Sequence, residues 1–259
     1  IRQNLLTDNK FSKYLIYAIG EIILVVIGIL IALQINNWNH DYQDRRQENQ
    51  ILSQLLQEYN SNLDQINDKI ALRNETLNSC IRFLEYRKKD FNEISVDSVD
   101  AHLFRISIRP TFDPELSVSN ELINSGKLYL LENDELRNYI SSYASFLSEL
   151  SEEEQVILNI TENQLIPFLT ENYQIGGMMM ILLDDKELRA RISMNKITDY
   201  ETVKALVPKS DFKPLLENAD FEDYLLRLIS YTSYTNEQSI GVRDKTAQII
   251  NLINKEIKK

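Results

Sequence analysis

The chain of 259 residues is poor in the residues from which disulfide-bonded, zinc-binding and all-β proteins are built. It has one Cys, two His, six Gly and five Pro. A single cysteine excludes an intramolecular disulfide framework and a cysteine-rich zinc module. So few Gly and Pro leave little material for the turns of an all-β fold, and the composition therefore favours helix. The net charge of −11 argues against nucleic acid as a partner, because nucleic-acid binding needs clustered Lys and Arg.

The common catalytic patterns are also missing from the sequence. It has no P-loop, no dinucleotide-type glycine pattern and no GxSxG motif, and His40 and His102 are far apart. Met178 to Met180 suggest copper(I) binding, but adjacent side chains point in different directions, so packing is the preferred interpretation. The acidic run at 152–154 is interpreted as a solvated helix face. We therefore expect no catalytic residue, no cofactor and no metal site.

One long apolar run lies near the start of the chain. From Leu15 to Leu33 it contains a single charged residue, Glu21. About 20 residues at ~1.5 Å rise cover the ~30 Å hydrocarbon core of a bilayer. A cleaved signal peptide is the competing interpretation, but it needs a shorter run and a better cleavage site than 32–34 offers. The pattern predicts a transmembrane helix over residues 14–36.

The charges that flank this run predict its orientation. Arg2, Lys10 and Lys13 precede it, whereas the basic residues beyond it are offset by nearby acids. The positive-inside rule then predicts a short cytoplasmic segment over 1–13 and places residues 37–259 outside the cytoplasm.

Four small or polar residues of the run share one helix face. At 100° per residue, Gly20, Glu21, Gly28 and Ala32 fall within an arc of about 120°. Gly28 and Ala32 form a small-xxx-small pair that allows a second helix to approach closely. Our hypothesis is a helix–helix contact with Glu21 protonated or paired to a partner; in the alternative, Glu21 extends to the headgroups and the glycines are incidental. Aromatic residues suit the two membrane interfaces: Tyr14 and Tyr17 the inner one, and Trp38 the outer one.

Beyond Trp38, apolar residues recur at alternating spacings of four and three. This pattern predicts a coiled-coil-like stalk that continues the membrane helix to about Lys89. Arg73 is the one departure from an apolar seam, and Cys80 is interpreted as a small buried hydrophobe. The seam comprises Leu52, Leu56, Tyr59, Leu63, Ile66, Ile70, Arg73, Leu77, Cys80 and Leu84.

Residues 90–132 are predicted to be broken into short elements. Asp97 is the expected N-cap of a helix to about Ile106. Residues 109–114 are expected to be extended, because a residue before proline avoids the helical region. A short helix from Leu116 to Asn124 should stop at the segment Ser125, Gly126 and Lys127.

Two further long helices follow, with shorter elements between them. Asn133 is expected to cap a helix to about Asn172 that Pro167 kinks, and Asn218 to cap a helix to about Lys258. The nine apolar residues 175–183 are too few to span a bilayer, and suit a bundle end, the membrane surface or a partner. Between the long helices, we expect a short helix over 184–194 and a loop over 197–213.

These elements predict an all-α fold. Three helices of about 40 residues or more would each run ~60 Å, and such lengths pack as an elongated bundle. We expect one N-terminal transmembrane helix that continues into an elongated antiparallel periplasmic helical bundle with coiled-coil-like packing. The connecting segments would lie at the two ends of this bundle.

The membrane-length segment also carries a recognisable motif. Residues 19–22 (IGEI) and 28–39 (GILIALQINNWN) resemble a family of bacterial single-pass membrane proteins of unknown function. Residues 121–128 and 135–137 are similar to that family as well. The resemblance implies an inner-membrane protein of a Gram-negative envelope that faces the periplasm, and it brings no known activity.

The sequence thus favours a non-enzymatic, membrane-anchored interaction or scaffold module. Its expected partners are the lipid bilayer and either other membrane-protein subunits or further copies of itself. Gly20, Glu21, Gly28 and Ala32 would form the membrane contact, and the distal Ser125, Gly126 and Lys127 a candidate partner surface. The alternative is a periplasmic ligand-sensing bundle that signals through a partner. A third hypothesis is a hydrolase with an unrecognised site, and the lack of a nucleophile–base pair argues against it.

Overall fold

The computed structural model describes the backbone of residues 5–184 and 204–258, and the side chains of 15–181 and 204–258. Throughout these residues the chain is all-α, and no strand occurs in them. The predicted helix over 184–194 lies outside the described residues apart from Asp184, as does the 197–203 part of the predicted loop. The rest of that loop is turn and coil from Ala205 to Phe212.

The first helix, α1, runs without a break from Leu5 to Tyr86. Its 82 residues correspond to about 120 Å, which confirms that the apolar run and the predicted stalk form one continuous helix. In the apolar part the side chains are exposed, with Leu24 at 70% and Trp38 at 64%. Burial begins at Glu48 and Leu52, where the rest of the chain starts to pack against α1.

The helices after α1 have bounds close to the predicted ones. A 3₁₀ turn at Phe91–Glu93 precedes α2 (Val96–Ser107), and another at Lys127–Leu130 follows α3 (Ser117–Asn124). One long rod comprises α4 (Asp134–Ile160), a π turn (Thr161–Leu165) and α5 (Ile166–Asn172). The remaining described helices are α6 (Gly176–Asp184), α7 (Lys213–Glu217) and α8 (Ala219–Ile257).

The helix ends show which local predictions hold. The Asn133 and Asn218 side chains cap α4 and α8, accepting hydrogen bonds from Leu136 N (2.9 Å) and Asp220 N (2.8 Å). The predicted cap Asp97 is wrong, because Ser95 is the N-cap of α2 and its Oγ accepts from the Ser98 N–H at 3.1 Å.

The irregularity expected at Pro167 is a π turn, which ends two residues before the proline. A π turn changes the hydrogen-bond register of the rod within a single turn, and the helix then continues as α5 to Asn172.

Contacts along α1 define the direction of each rod. Residues 95–132 run antiparallel to α1, since Ser98 bonds Tyr86 at one end and Glu132 bonds Glu48 at the other. The α4 rod runs parallel to α1, because the Tyr143 ring packs edge-on against Tyr59 at 5.3 Å and Glu154 pairs with Arg73 farther along. Helix α8 returns antiparallel, from the Arg87–Glu222 ion pair to the Asn133–Glu256 hydrogen bond.

The described residues therefore form a bundle of four rods in an up-down-up-down arrangement. The expectation that residues 90–132 connect helices at the bundle ends is wrong, because this segment packs along the length of α1 as a broken fourth rod. Pro110 and Pro114 keep residues 108–116 out of helix.

Two apolar clusters form the core of the bundle. One is nearest the apolar part of α1 and includes Leu52, Leu136 and Ile253; the other is far from it and includes Phe83, Leu103 and Phe221. On α8 the buried residues from Thr232 to Ser239 are polar, and they lie between the two clusters. The core is thus divided by a polar layer.

Candidate functional site

The predicted helix-contact face lies on a part of α1 that no other described residue covers. Glu21, Gly28 and Ala32 are exposed, and a Cβ built at Gly20 or Gly28 would meet no atom within 4 Å outside its own turn. Helical geometry keeps the four residues within the predicted arc. A second helix therefore has room to approach this face.

The helix containing this face satisfies the length and composition of a membrane span. Among the described residues, α1 is the helix that qualifies, with a mean hydropathy of 2.7 over 18 residues and none of that window buried. Tyr17 and Trp38, the predicted interface residues, are 77% and 64% exposed. The side chain of Tyr14 lies outside the described residues.

The predicted partner surface is the turn that follows α3. Ser125, Gly126 and Lys127 are exposed, and Gly126 has the left-handed conformation at φ 70°. The expectation that this turn is distal is wrong. Because residues 95–132 run back along α1, the turn lies at the end of the bundle nearest the apolar segment, just before Glu132 bonds Glu48 at 2.7 Å.

Polar side chains of α1 supply the hydrogen bonds that the extended segment would otherwise lack. The Asn62 amide accepts from Glu115 N–H at 2.7 Å and donates to Glu115 C=O at 2.8 Å. Gln65 bonds Asp113 N–H at 2.7 Å and Asp113 C=O at 3.0 Å in the same way. These two amides pair with both backbone groups of a residue, as a neighbouring strand does in a sheet, and they hold the extended chain against α1.

Glu58 caps α3 from a distance of 60 residues along the chain. The first turn of α3 has no side-chain cap of its own. The buried Glu58 carboxylate accepts from Val118 N–H at 2.6 Å and from both Ser119 N–H and Ser119 Oγ. A negative charge at a helix N-terminus is favourable, so this contact fastens α3 to α1.

The centre of the polar layer is an ion pair between Arg73 and Glu154. The Arg73 guanidinium bonds Glu154 on α4, Ser239 Oγ on α8 at 2.6 Å and Pro110 C=O at 2.9 Å. Glu154 also accepts from Phe112 N–H, at 3.1 Å to each oxygen. The network therefore joins all four rods.

The interpretation of residue 154 as part of a solvated face is wrong. Glu154 is 5% exposed, and Arg73 is 1% exposed. Burial raises the pKa of the Glu154 carboxyl, and the charge of Arg73 and the Phe112 N–H oppose that rise. The interruption at Arg73 in the apolar seam was the sequence signal of this network, but its partner lies 81 residues away.

Several other buried polar groups also have structural partners, whereas the buried hydroxyls of Thr161 and Thr232 have none among the described residues. Tyr173 OH donates to Asp100 Oδ1 at 2.8 Å, and burial raises the pKa of Asp100. His102 Nδ1 lies 3.1 Å from Ser79 Oγ. The prediction that Cys80 is a buried hydrophobe is confirmed, since the side chain is fully buried and burial raises its pKa to about 12. The described residues contain no group of three His, Cys, Asp or Glu that could hold a metal ion.

An open groove lies beside the extended segment, at the level of the polar layer. Its volume is about 580 Å³, and it lies between α1, residues 108–111, the π turn and α6. No sequence signal indicated it, because its walls come from segments far apart in the chain. Met178, in the apolar run 175–183, is fully buried there, and the neighbouring Met179 is exposed.

Comparison with known proteins gives one match. The model of a family of unknown function, DUF6090, matches residues 21–153, which is more than half of the chain. The match begins at Glu21 in the apolar part of α1 and ends in α4, so it includes the predicted contact face beyond Gly20, the broken rod and the turn at Gly126. It agrees with the resemblance at the level of an uncharacterised family. No curated protein and no solved structure matches the chain.

Proposed function

This chain belongs to the DUF6090 family of unknown function, and we propose that it is a membrane-anchored interaction module without enzymatic activity. The apolar part of α1 anchors it in the inner membrane of a Gram-negative bacterium. The N-terminus is cytoplasmic and the bundle is periplasmic. Its partners are other membrane-protein subunits or further copies of the same chain.

The observation that carries this proposal is the continuity of α1. One helix contains both an apolar stretch whose side chains are exposed and the first rod of the bundle. An apolar surface of this size is stable only when lipid or another protein covers it. Because no flexible joint interrupts the helix, a contact made in the membrane sets the position of the bundle.

The orientation rests on charge. Arg2, Lys10 and Lys13 lie on the N-terminal side of the apolar stretch, and positive residues favour the cytoplasmic side. The resemblance of the IGEI and NNWN segments to bacterial single-pass proteins supports the same assignment.

The proposed contact is the face formed by Gly20, Glu21, Gly28 and Ala32. Small residues let two helix backbones approach closely, and a carboxyl within the bilayer favours a partner that satisfies it. The exposed turn around Gly126 lies at the bundle end nearest this face, so one partner can touch both surfaces.

The buried polar groups support a structural role. Glu58, Asn62 and Gln65 bond backbone groups of the broken rod, and Arg73 with Glu154 joins the four rods. Each of these side chains has a hydrogen-bond partner within the fold, although the buried Nε of Arg73 itself has none within the described ranges. A ligand-sensing bundle that signals through a partner is the second candidate, and the groove beside residues 108–111 favours it.

The test is a mild-detergent pull-down of a C-terminally tagged chain from its native membranes, with mass spectrometry and native mass measured on the same sample. We expect a stoichiometric set of partners or a defined homo-oligomer. Gly28→Leu and Glu21→Gln should each reduce the amount of partner, or of homo-oligomer, that is recovered with the tagged chain. Val26→Leu is the matched control, because residue 26 lies on the opposite side of the helix. A monomer without partners, or assembly unchanged in both variants, would overturn the proposal.

A further inference from the structure

The groove beside the extended segment exists because one rod of the bundle is broken. A helix with its side chains is about 10–12 Å wide, and an extended chain is narrower. Where residues 108–116 replace a helix, the bundle therefore leaves space along one side. Helix α6 packs on α2 and contributes Met178 and Met179 to the lining of this space. The resulting groove of about 580 Å³ is within the range of sites that bind small molecules.

The floor of the groove is apolar. Leu72, Phe104 and Met178 lie beneath it, at 2%, 6% and 0% exposed, and the half-buried Ile108 and Ile166 present apolar surface to the groove. Ile166 and the exposed Met179 extend this surface towards the solvent. Methionine side chains adapt to ligands of different shape, so this floor suits an apolar body rather than one fixed outline.

The charged side chains at the rim of the groove have a net positive charge. Arg109 Nε lies 2.5 Å from Glu162 Oε1, so these two charges compensate each other. Lys69 is half-buried at the same rim. In the part of the chain that the structure describes, its side-chain ammonium group has no ion pair or hydrogen bond. Counting the described residues, the rim therefore carries one uncompensated positive charge above an apolar floor.

We propose that this groove binds a small single-chain amphiphile with one anionic head group, whose apolar body lies on Ile108, Ile166 and Met179 and whose head group pairs with Lys69. A partly shielded cation attracts an anion more strongly than a fully solvated one does. Binding at this groove does not depend on the membrane contact, so the two proposals can fail separately.

The position of the groove also connects it to α1. Pro110 belongs to its wall, and the Pro110 carbonyl accepts a hydrogen bond from Arg73 at 2.9 Å. An occupant that shifts residues 108–111 therefore acts on the network joining the four rods.

The experiment uses the full chain in nanodiscs of one lipid composition, with equilibrium dialysis against decanoate, decanol and decyltrimethylammonium. Uptake by empty nanodiscs is subtracted, so partition into lipid cancels. We expect saturable binding of decanoate that exceeds that of decanol, with the cation weakest. Lys69→Gln should weaken decanoate binding about three- to fivefold, as for a partly exposed ion pair, and leave decanol binding unchanged. Lys88→Gln, at an exposed lysine after α1, is the matched control.

A second variant tests the floor. Met179→Trp places a large ring over the groove and should remove binding of decanoate and decanol alike. Tyr129→Trp, on the exposed turn at the bundle end nearest the apolar segment, should not. If Met179→Trp fails to fold by circular dichroism, the Lys69→Gln comparison still decides. The proposal is overturned if no probe binds saturably, or if decanoate and decanol bind equally to the unmodified chain. It is also overturned if Lys69→Gln leaves decanoate binding unchanged, or if binding survives in a folded Met179→Trp.

Discussion

At the scale of single residues, Arg73 and Glu154 show how a helical core holds a charge. Each is almost fully buried, and together they bond groups on all four rods. Removing one partner of such a pair leaves the other charge buried without compensation.

We expect Arg73→Met to lower the free energy of unfolding by about 3–5 kcal/mol, or the melting temperature by roughly 10 °C. Thermal unfolding followed by circular dichroism measures this. Arg82→Met is the matched control, since the Arg82–Glu85 pair on the same helix is exposed and should contribute under about 1 kcal/mol. Equal effects of the two variants would mean that the buried pair does not stabilise the bundle.

His102 should make stability depend on pH. Burial lowers the pKa of His102, and the charges of Arg105 and Arg82 lower it further. Protonation of His102 is therefore less favourable in the folded chain than in the unfolded chain. The contribution of His102 to the free energy of unfolding is complete above the unfolded pKa of about 6.5, and it is lost as the pH falls through the folded pKa.

The expected result is a melting temperature that falls between pH 7.5 and pH 5.5, with a shallower fall in His102→Gln. His40→Gln, at an exposed position on α1, serves as the control and should keep the slope of the unmodified chain. If His102→Gln kept that slope as well, His102 would have no part in the pH dependence.

At the scale of elements, contacts made within one helical turn could be predicted from the sequence, and contacts between distant residues could not. Asn133 and Asn218 were predictable as caps because a cap is made within one turn. The α2 cap was misplaced by two residues because Ser95 and Asp97 both satisfy the local rule; in the structure Ser95 is extended and Asp97 falls in the first turn. The fastening of residues 113–119 to α1 was not predictable, since Glu58, Asn62 and Gln65 precede their partners by 48 to 61 residues.

Glu58→Ala should destabilise α3, because it removes the acceptor for two backbone N–H groups and one hydroxyl. We expect a loss of about 1–2 kcal/mol and faster hydrogen exchange confined mainly to residues 117–124. Gln57→Ala changes the adjacent exposed position and should leave exchange as it is. Unchanged exchange in Glu58→Ala would show that α3 does not need this cap.

Two glycines should respond to alanine with opposite signs. Gly126 has φ 70°, which an L-residue rarely adopts, so Gly126→Ala should cost about 1 kcal/mol. Gly241 lies inside α8 with open space around it, so Gly241→Ala should stabilise the chain by up to about 1 kcal/mol. The melting temperatures of the two variants test this prediction. A shift of the same sign in both variants would contradict the left-handed conformation of residue 126.

At the scale of the whole molecule, the length of the rods follows from periodicity and their arrangement does not. The seam from Leu52 to Leu84 predicted a long α1. In the structure every second member of the seam from Leu52 to Cys80 is fully or almost fully buried, and the members between them are half-buried. A wider face is buried than that seam, because the broken rod covers α1 on a second side. The groove beside residues 108–111 arises from the same broken rod, and the spacing of apolar residues could not predict it either.

The measurement that most directly tests the account is the labelling of introduced cysteines in intact cells. The reagent is a maleimide that passes the outer membrane but cannot cross the inner membrane. Cys80 is fully buried, so the native thiol should stay silent while the chain is folded. Ser145→Cys, at an exposed position on α4, should react in intact cells, and Asn9→Cys, before the apolar stretch, only after lysis. Labelling of both positions in intact cells, or of Ser145→Cys only after lysis, would contradict a bundle held in the periplasm by a membrane-spanning α1.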